Sequence, residues 1–297
     1  MQRTVLGGLA ASALLIAASL SAVNAADIPV KALVYKVPPA SVAVYSWTGF
    51  YVGGEVGVGW MNAPTYTFAD PGNAALNSCG PCFDRYNSQT LSGSSATAPL
   101  GGIHLGYDTQ VAPTWLVGVV GDFTWTHINQ SVNSPLTSLG VPAVLGSNLS
   151  FQTDVKWLAS IRARGGFIMQ SNWLIYATGG IAWADTNFAA NATCPFGVGD
   201  CFFLGTTAPF ALNTTRTGLV FGGGLEWQTP ADPWRINLEY LIYGFDRTDS
   251  GSSLFNSANS VFPGPTACVV TPTCSANYSF GKLTIQTIRV GLSYAFH

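Results

Sequence analysis

The residues best equipped for chemistry are the run Cys79-Gly80-Pro81-Cys82 and the pair His104 and Asp108. A CxxC motif activates its thiolate when a helix starts at the first cysteine inside a βαβ unit. Here the flanks, Ala74 to Ser78 and Phe83 to Ser88, are turn-rich, so that setting is missing. The motif reads instead as a staple within one long connection. Cys194 with Cys201, and Cys268 with Cys274, are two further local pairs, and in an exported chain each pair can brace its own connection as a disulfide. A zinc site drawn from these cysteines has no neighbouring histidine in sequence, which counts against it.

His104 and Asp108 share one face of an alternating segment, close enough for the carboxylate to orient the imidazole as a general base. A hydrogen-bonded pair inside a packed interior uses the same two residues, and it is the reading adopted. The sequence carries no nucleophile elbow, no Ser-His-Asp constellation and no metal-spaced cluster. His127 lies on the outward phase, where an interfacial ring fits better than a base, and His297 ends the chain. Gly53-Gly54, Gly101-Gly102 and Gly222-Gly223-Gly224 lack the lysine and following helix of a phosphate loop. Within strands they mark bends and close backbone approach. No catalytic residue, cofactor or metal ligand is expected.

The elements that must position these residues are strands. In the segment from Trp115, one face carries Trp115, Val117, Val119, Gly121, Phe123 and Trp125, and the other Leu116, Gly118, Val120, Asp122, Thr124 and Thr126. The first face suits lipid and the second an interior. Eight such segments are expected, over 47–61, 97–109, 115–129, 151–168, 173–188, 212–228, 234–249 and 277–297. Short links at 110–114, 169–172 and 229–233 alternate with long polar ones at 62–96, 130–150, 189–211 and 250–276. This is the pattern of an eight-stranded antiparallel up-and-down transmembrane β-barrel with short periplasmic turns and four long extracellular loops. In the last segment the phase breaks between Ile285 and Ile288, which suggests a bulge or a later strand start.

Phasing each strand with its bulky apolar set outward places twelve charged residues inside: Glu55, Asp108, Asp122, Asp154, Lys156, Arg162, Arg164, Arg216, Glu226, Arg235, Glu239 and Arg289. Facing lipid at the bilayer midplane, a lysine or arginine costs about 2–4 kcal/mol. An eight-stranded barrel is only wide enough for its own side chains. Six acids and six bases confined there should pair, giving a salt-bridged plug rather than an open channel.

Bulky aromatics recur ten residues apart on one phase, in Phe50 and Trp60, Trp115 and Trp125, Trp157 and Phe167, and Trp173 and Trp183. Ten extended residues rise about 33 Å, or about 25 Å when tilted by roughly 40°, which matches the apolar band of an outer-membrane barrel. The expected aromatic girdles comprise Trp47, Trp60, Trp115, Trp125, Trp157, Trp173, Trp183, Trp227 and Trp234.

Composition agrees with this architecture. Charged residues are only 9% of the 297 and mean hydropathy is +0.29, yet no run of about 18 apolar residues follows the amino terminus to make a membrane helix. Arg3, the apolar run Val5 to Leu20 and Val23-Asn24-Ala25 read as a secretory signal peptide over 1–25, followed by a proline-bearing periplasmic leader over 26–46 and the barrel over 47–297. A formal net charge of −2 offers no basic face to nucleic acid.

Three segments carry a resemblance. Ser46-Trp47-Thr48-Gly49-Phe50-Tyr51-Val52-Gly53-Gly54 with Gly57-Val58-Gly59-Trp60 resembles the opening strand of the alphaproteobacterial porin-like outer-membrane immunogenic proteins of rhizobia and brucellae. Trp234 to Leu241 resembles that family's penultimate strand, and Ile288 to Phe296 its closing one. The resemblance implies an eight-stranded barrel over essentially the whole mature chain and abundant surface display. One departure is His297 after Phe296, where a final aromatic usually serves recognition by the barrel-assembly machinery. The expected role is structural, with outer-membrane lipid and lipopolysaccharide as partners. A narrow small-solute porin and a loop-mediated adhesin or ligand-binding surface protein are the alternatives.

Overall fold

The computed structural model describes residues 46–69, 86–137, 145–170, 172–194, 206–229, 233–254, 256–257 and 275–296. The expected signal peptide, the leader up to residue 45, His297, Cys79, Cys82, Cys201, Cys268, Cys274 and the side chain of Cys194 lie outside them. Among the described residues no helix is long and apolar enough to cross a membrane, which says nothing of strands.

Thirteen strands are described: β1 (Gly49–Met61), β2 (Thr65–Ala69), β3 (Gln89–Ser92), β4 (Ala96–Ala112), β5 (Trp115–Ser134), β6 (Asn148–Met169), β7 (Trp173–Cys194), β8 (Thr206–Gln228), β9 (Trp234–Phe245), β10 (Asp249–Leu254), β11 (Asn256–Ser257), β12 (Ser275–Phe280) and β13 (Leu283–Phe296). Eight form an antiparallel ring in the order β1, β4, β5, β6, β7, β8, β9, β13, and β13 pairs back to β1. Ring closure leaves the backbone groups of these strands paired, as hydrocarbon surroundings demand. At one end the ring has short links, with β4 and β5 separated only by residues 113–114.

At the other end the strands run on past the expected boundaries. β5 to β8 extend as 20 to 23 continuous residues. Opposite them β10, β12, β2 and β3 form a second sheet, whose strands precede or follow β1, β4, β9 and β13 after short breaks. Much of the expected loop sequence is therefore strand, because polar residues alternate there with inward Tyr66, Phe68, Leu149, Ala190 and Ala208, which pack with Phe151, Phe188, Tyr278 and Phe280 into an aromatic core. Burial pushes the Tyr66 phenol in this core up to about 12. It stays protonated and donates to Gln130 Oε1.

Two sequence expectations about phase are corrected. β13 alternates without a bulge from Leu283 to Phe296, and Ile285 simply points inward into an apolar layer with Leu158, Val220 and Phe245. β6 does carry a bulge. Val155 pairs with Thr186 and Trp157 with Asp185, leaving Lys156 as the extra residue. The inward phase changes there, so Lys156 is exposed on the outer face and Asp154 also lies on the outward side, opposite Asn129. Neither belongs to the interior set.

Glycines make the interior possible. Gly57 stands across the ladder from Arg289, Gly180 from Arg162, Gly118 from Arg164 and Asp108, and Gly102 and Gly291 flank Glu55. A long ionic side chain thus lies over a position with no side chain. A Cβ at Gly180 would sit 2.7 Å from the Arg162 Cα, and one at Gly57 would sit 2.9 Å from the Arg289 Cα. Gly180→Val is expected to destabilise the barrel by about 1–3 kcal/mol, the usual cost of overpacking. Urea unfolding in lipid vesicles checks this, with Gly165→Val, whose Cβ meets nothing within 4 Å, as the control.

Candidate functional site

Inward alternation brings ten of the twelve predicted charges into buried positions, nine of them in one layer, where Arg162 and Arg289 hold Glu55, Asp122 and Glu239, and Arg164 and Arg235 hold Asp108 and Glu226. Arg289 Nη1 donates to Glu55 Oε1 and Asp122 Oδ1, each at 2.6 Å, its Nε to Thr287 Oγ1 at 3.1 Å, and its Nη2 to the Tyr243 hydroxyl. Arg162 Nη1 reaches Glu239 Oε1 at 2.8 Å and its Nη2 Asp122 Oδ1 at 3.5 Å. Arg164 grips both oxygens of Asp108, with Nε to Oδ1 at 2.7 Å, and its Nη1 donates to Glu226 Oε2 at 2.7 Å. Arg235 Nη1 adds a bond of 2.9 Å to Asp108 Oδ2. Forked guanidinium geometry lets four arginines serve five carboxylates.

Arg216, the tenth, stands apart. It pairs with Asp249 at 2.7 Å and donates to the carbonyls of Gly281 and Phe280, tying β8 to the break between β12 and β13. Its Cζ lies 4.6 Å from the centre of the Phe188 ring, at the base of the aromatic core.

His104 and Asp108 are both buried in the interior but do not form the expected hydrogen-bonded pair, nor a base with its orienter. The imidazole Nε2 shares a hydrogen bond of 2.7 Å with Ser293 Oγ, its Nδ1 lies 3.5 Å from Glu55, and Asp108 is held by two arginines. His127 is outward as expected, 72% exposed, and pairs with Asp154 at 3.3 Å. Among the described residues no group of three or more His, Cys, Asp or Glu is placed to hold a metal.

Neutral residues complete the layer: Thr124, on the interior face as expected, and Ser160 and Tyr176, which sequence reasoning missed. Thr124 donates to Glu55 at 2.9 Å, Ser160 to Asp122, and Tyr176 to Glu239 at 3.2 Å. Their inward parity was the available signal. Trp47 was placed in a girdle but is fully buried. Arg235 lies 4.9 Å over its ring and donates to its carbonyl, and Trp47 packs with Leu116, Ile168, Leu174 and Tyr176 across the short-link end of the interior. The ionic layer therefore lies between this apolar stopper and the layer containing Leu158, Val220 and Ile285.

The outer face is hydrocarbon. Val52, Val119, Ile161, Ile175, Leu219, Leu238 and Val290 are all exposed. At the short-link end Trp115 packs on Phe167, Trp173 on Trp227 and Trp234 on Tyr294. Ten residues along, Trp125 pairs with Trp157 in register, Phe123 stacks on Trp157, and Trp60 meets Tyr240, with Trp183 on the adjoining strand. A hydrocarbon band between two aromatic belts, wrapped around a charged core, defines an integral β-barrel of the outer-membrane type.

Comparison with known proteins narrows that class. A family model described as outer membrane protein beta-barrel domain matches residues 10–296, and the chain belongs to that family. It is similar to the 31 kDa outer-membrane immunogenic proteins of Brucella melitensis biotype 1 and Brucella suis biovar 1, at 27% identity over 293 residues, covering 95% of this chain and 98% of each relative. These relatives uphold the resemblance to the alphaproteobacterial immunogenic proteins and place the chain in the cell outer membrane. Solved structures matched include OprG from Pseudomonas aeruginosa, with 12% identity, a TM-score of 0.39 and coverage of 84% of this chain and 97% of that one. The attachment invasion locus protein Ail of Yersinia pestis matches with 14% identity, a TM-score of 0.32 and coverage of 84% and 99%.

Proposed function

We propose that this protein is a sealed structural barrel that anchors in the outer membrane and holds a rigid cap above the outer leaflet, contributing to envelope integrity and surface display. In this reading the short links face the periplasm and the second sheet and long connections face outward, as is usual for such barrels. Its work is mechanical, with lipid as the first partner and the barrel-assembly machinery as the partner during biogenesis.

The observation that carries the reading is the interior. Within the ionic layer a cavity of about 10 Å³ remains, lined by Tyr51, Glu55, His104, Arg164, Glu226 and Ser293 among others. That is room for about one water. Apolar layers lie on both sides of it. A solute would have to break several buried ion pairs to pass, each worth about 3–5 kcal/mol when one partner is lost.

Planar-bilayer recordings of the purified, refolded protein test this directly. The expected record is a quiet baseline with at most brief, small steps. Large, long-lived conductance would replace the reading with a small-solute porin.

A further inference from the structure

Above the outer aromatic belt, β5 to β8 continue without interruption, but their outward face changes from hydrocarbon to amides and hydroxyls. One row of the register crosses all four strands as Asn129, Asp154, Asn187 and Asn213, and the next runs Ser131, Gln152, Ala189 and Ala211, polar on β5 and β6 alone. Asn129, Ser131, Gln152 and Asn213 are exposed and Asn187 is half-buried. Side chains stand about 4.8 Å apart across the strands and about 6.7 Å apart along them, so the first row presents donors and acceptors across all four strands and the second extends them over β5 and β6.

The β6 bulge supplies a second, independent feature. It turns Lys156 outward at the level of the paired Trp125 and Trp157, and among the described residues Lys156 has no ion-pair partner. Nearby acids are accounted for in part: Asp154 is engaged by His127, while Asp185 lies half-buried on the outward phase of β7 beside Trp157.

We propose that this wall is a binding surface for the saccharide part of the outer-leaflet glycolipid, with Lys156 meeting a phosphate on its sugar backbone and the amide rows hydrogen-bonding sugar hydroxyls above. The proposal rests on the outward orientation argued under the proposed function. Continuity is the main argument. Acyl chains lying on Val119, Ile161, Ile181 and Leu219 must carry their head group onto the residues that follow on the same strands. Amides donate and accept at once, as sugar hydroxyls do, and a wall with few charges matches a mostly neutral glycan better than a polyanion. Bulges recur where a side chain must be re-aimed, and this one exposes a cation at the boundary where the lipid's phosphates lie.

The test uses the full mature protein refolded into vesicles containing either lipopolysaccharide with a complete core oligosaccharide or a deep-rough form truncated to its innermost sugars. Hydrogen exchange over 127–133 and 148–156 is expected to slow at least fivefold with the complete core. The triple variant N129A/N187A/N213A, whose side chains are on the outer face, should fold, as the mobility shift of an unheated sample on a gel will verify, and should lose that protection. K156Q should lose any preference for bisphosphorylated over monophosphorylated lipid A. Equal exchange in the two lipids, or unchanged protection in the triple variant, overturns the saccharide surface. A wall variant that alters self-association instead assigns the face to a second copy and also overturns it. Orientation is read separately: N133C should react with a membrane-impermeant maleimide on intact cells. Failure to label overturns the orientation itself, whereas labelling together with equal exchange overturns only the saccharide surface.

Discussion

Replacing Arg289 with methionine is expected to lower the unfolding free energy by about 3–5 kcal/mol, the cost of leaving buried charge uncompensated. Arg289 is fully buried and joins Glu55 and Asp122, each at 2.6 Å. Without it Glu55 retains only the Thr124 hydroxyl at 2.9 Å and the His104 ring at 3.5 Å, and Asp122 retains Ser160 and an Arg162 contact of 3.5 Å. Two carboxylates then share a dry site with too few donors. Urea titration in lipid vesicles, followed by tryptophan fluorescence, measures the loss. Adding E55Q to R289M should restore at least ~1 kcal/mol, because the second change removes the stranded charge rather than another contact. A loss below ~1 kcal/mol for R289M alone would show that water reaches the layer and that the interior is not sealed.

The sequence made the membrane-spanning part legible because two physical rules act there together. Period-2 alternation assigns faces, and lipid forbids charge on one of them, so the parity of Val117, Val119, Arg162 and Arg289 admits one arrangement. The ten-residue aromatic spacing then fixes the height of the band. Above the band the rule reverses: Phe151 and Val155 are apolar because they face inward, and Asn129 and Gln152 are polar because they face out. Apolar residues at odd positions on both sides of Lys156 hide the bulge, since Val155 inside and Trp157 outside look alike in one dimension. The same reversal made Ile285 look like a phase error. Trp47 is a different case: it shares the inward odd parity of Tyr51 and Glu55, and the stacked Arg235 with the surrounding Leu116, Ile168 and Leu174 makes it a stopper rather than a girdle residue. Ion-pair partners were illegible for a different reason. Parity tells which side chains share the interior, whereas strand tilt and register decide that Arg164, not His104, reaches Asp108.

Placing arginine at Val119 is expected to cost about 2–4 kcal/mol in a bilayer refolding assay, the midplane penalty for a cation against lipid. Val119 is 55% exposed on the outer face, and its register neighbours are Tyr107 and Ala163. Neither neighbour offers a carboxylate to the new guanidinium. Hydrocarbon companions in the same band, Val117 on β5 itself, Leu105 on β4 and Ile161 on β6, are exposed too, so the side chain would have to snorkel past them to reach a head group. Thr124→Ser, on the opposite parity of the same strand, keeps the hydroxyl that donates to Glu55 and should cost far less. In detergent micelles, which deform and admit water near the protein, the V119R penalty should shrink while the T124S cost stays small. Equal costs for the two variants in a bilayer would mean that β5 is phased the other way round, which would put Asp122 in hydrocarbon and undo the assignment of an inside and an outside to the ring.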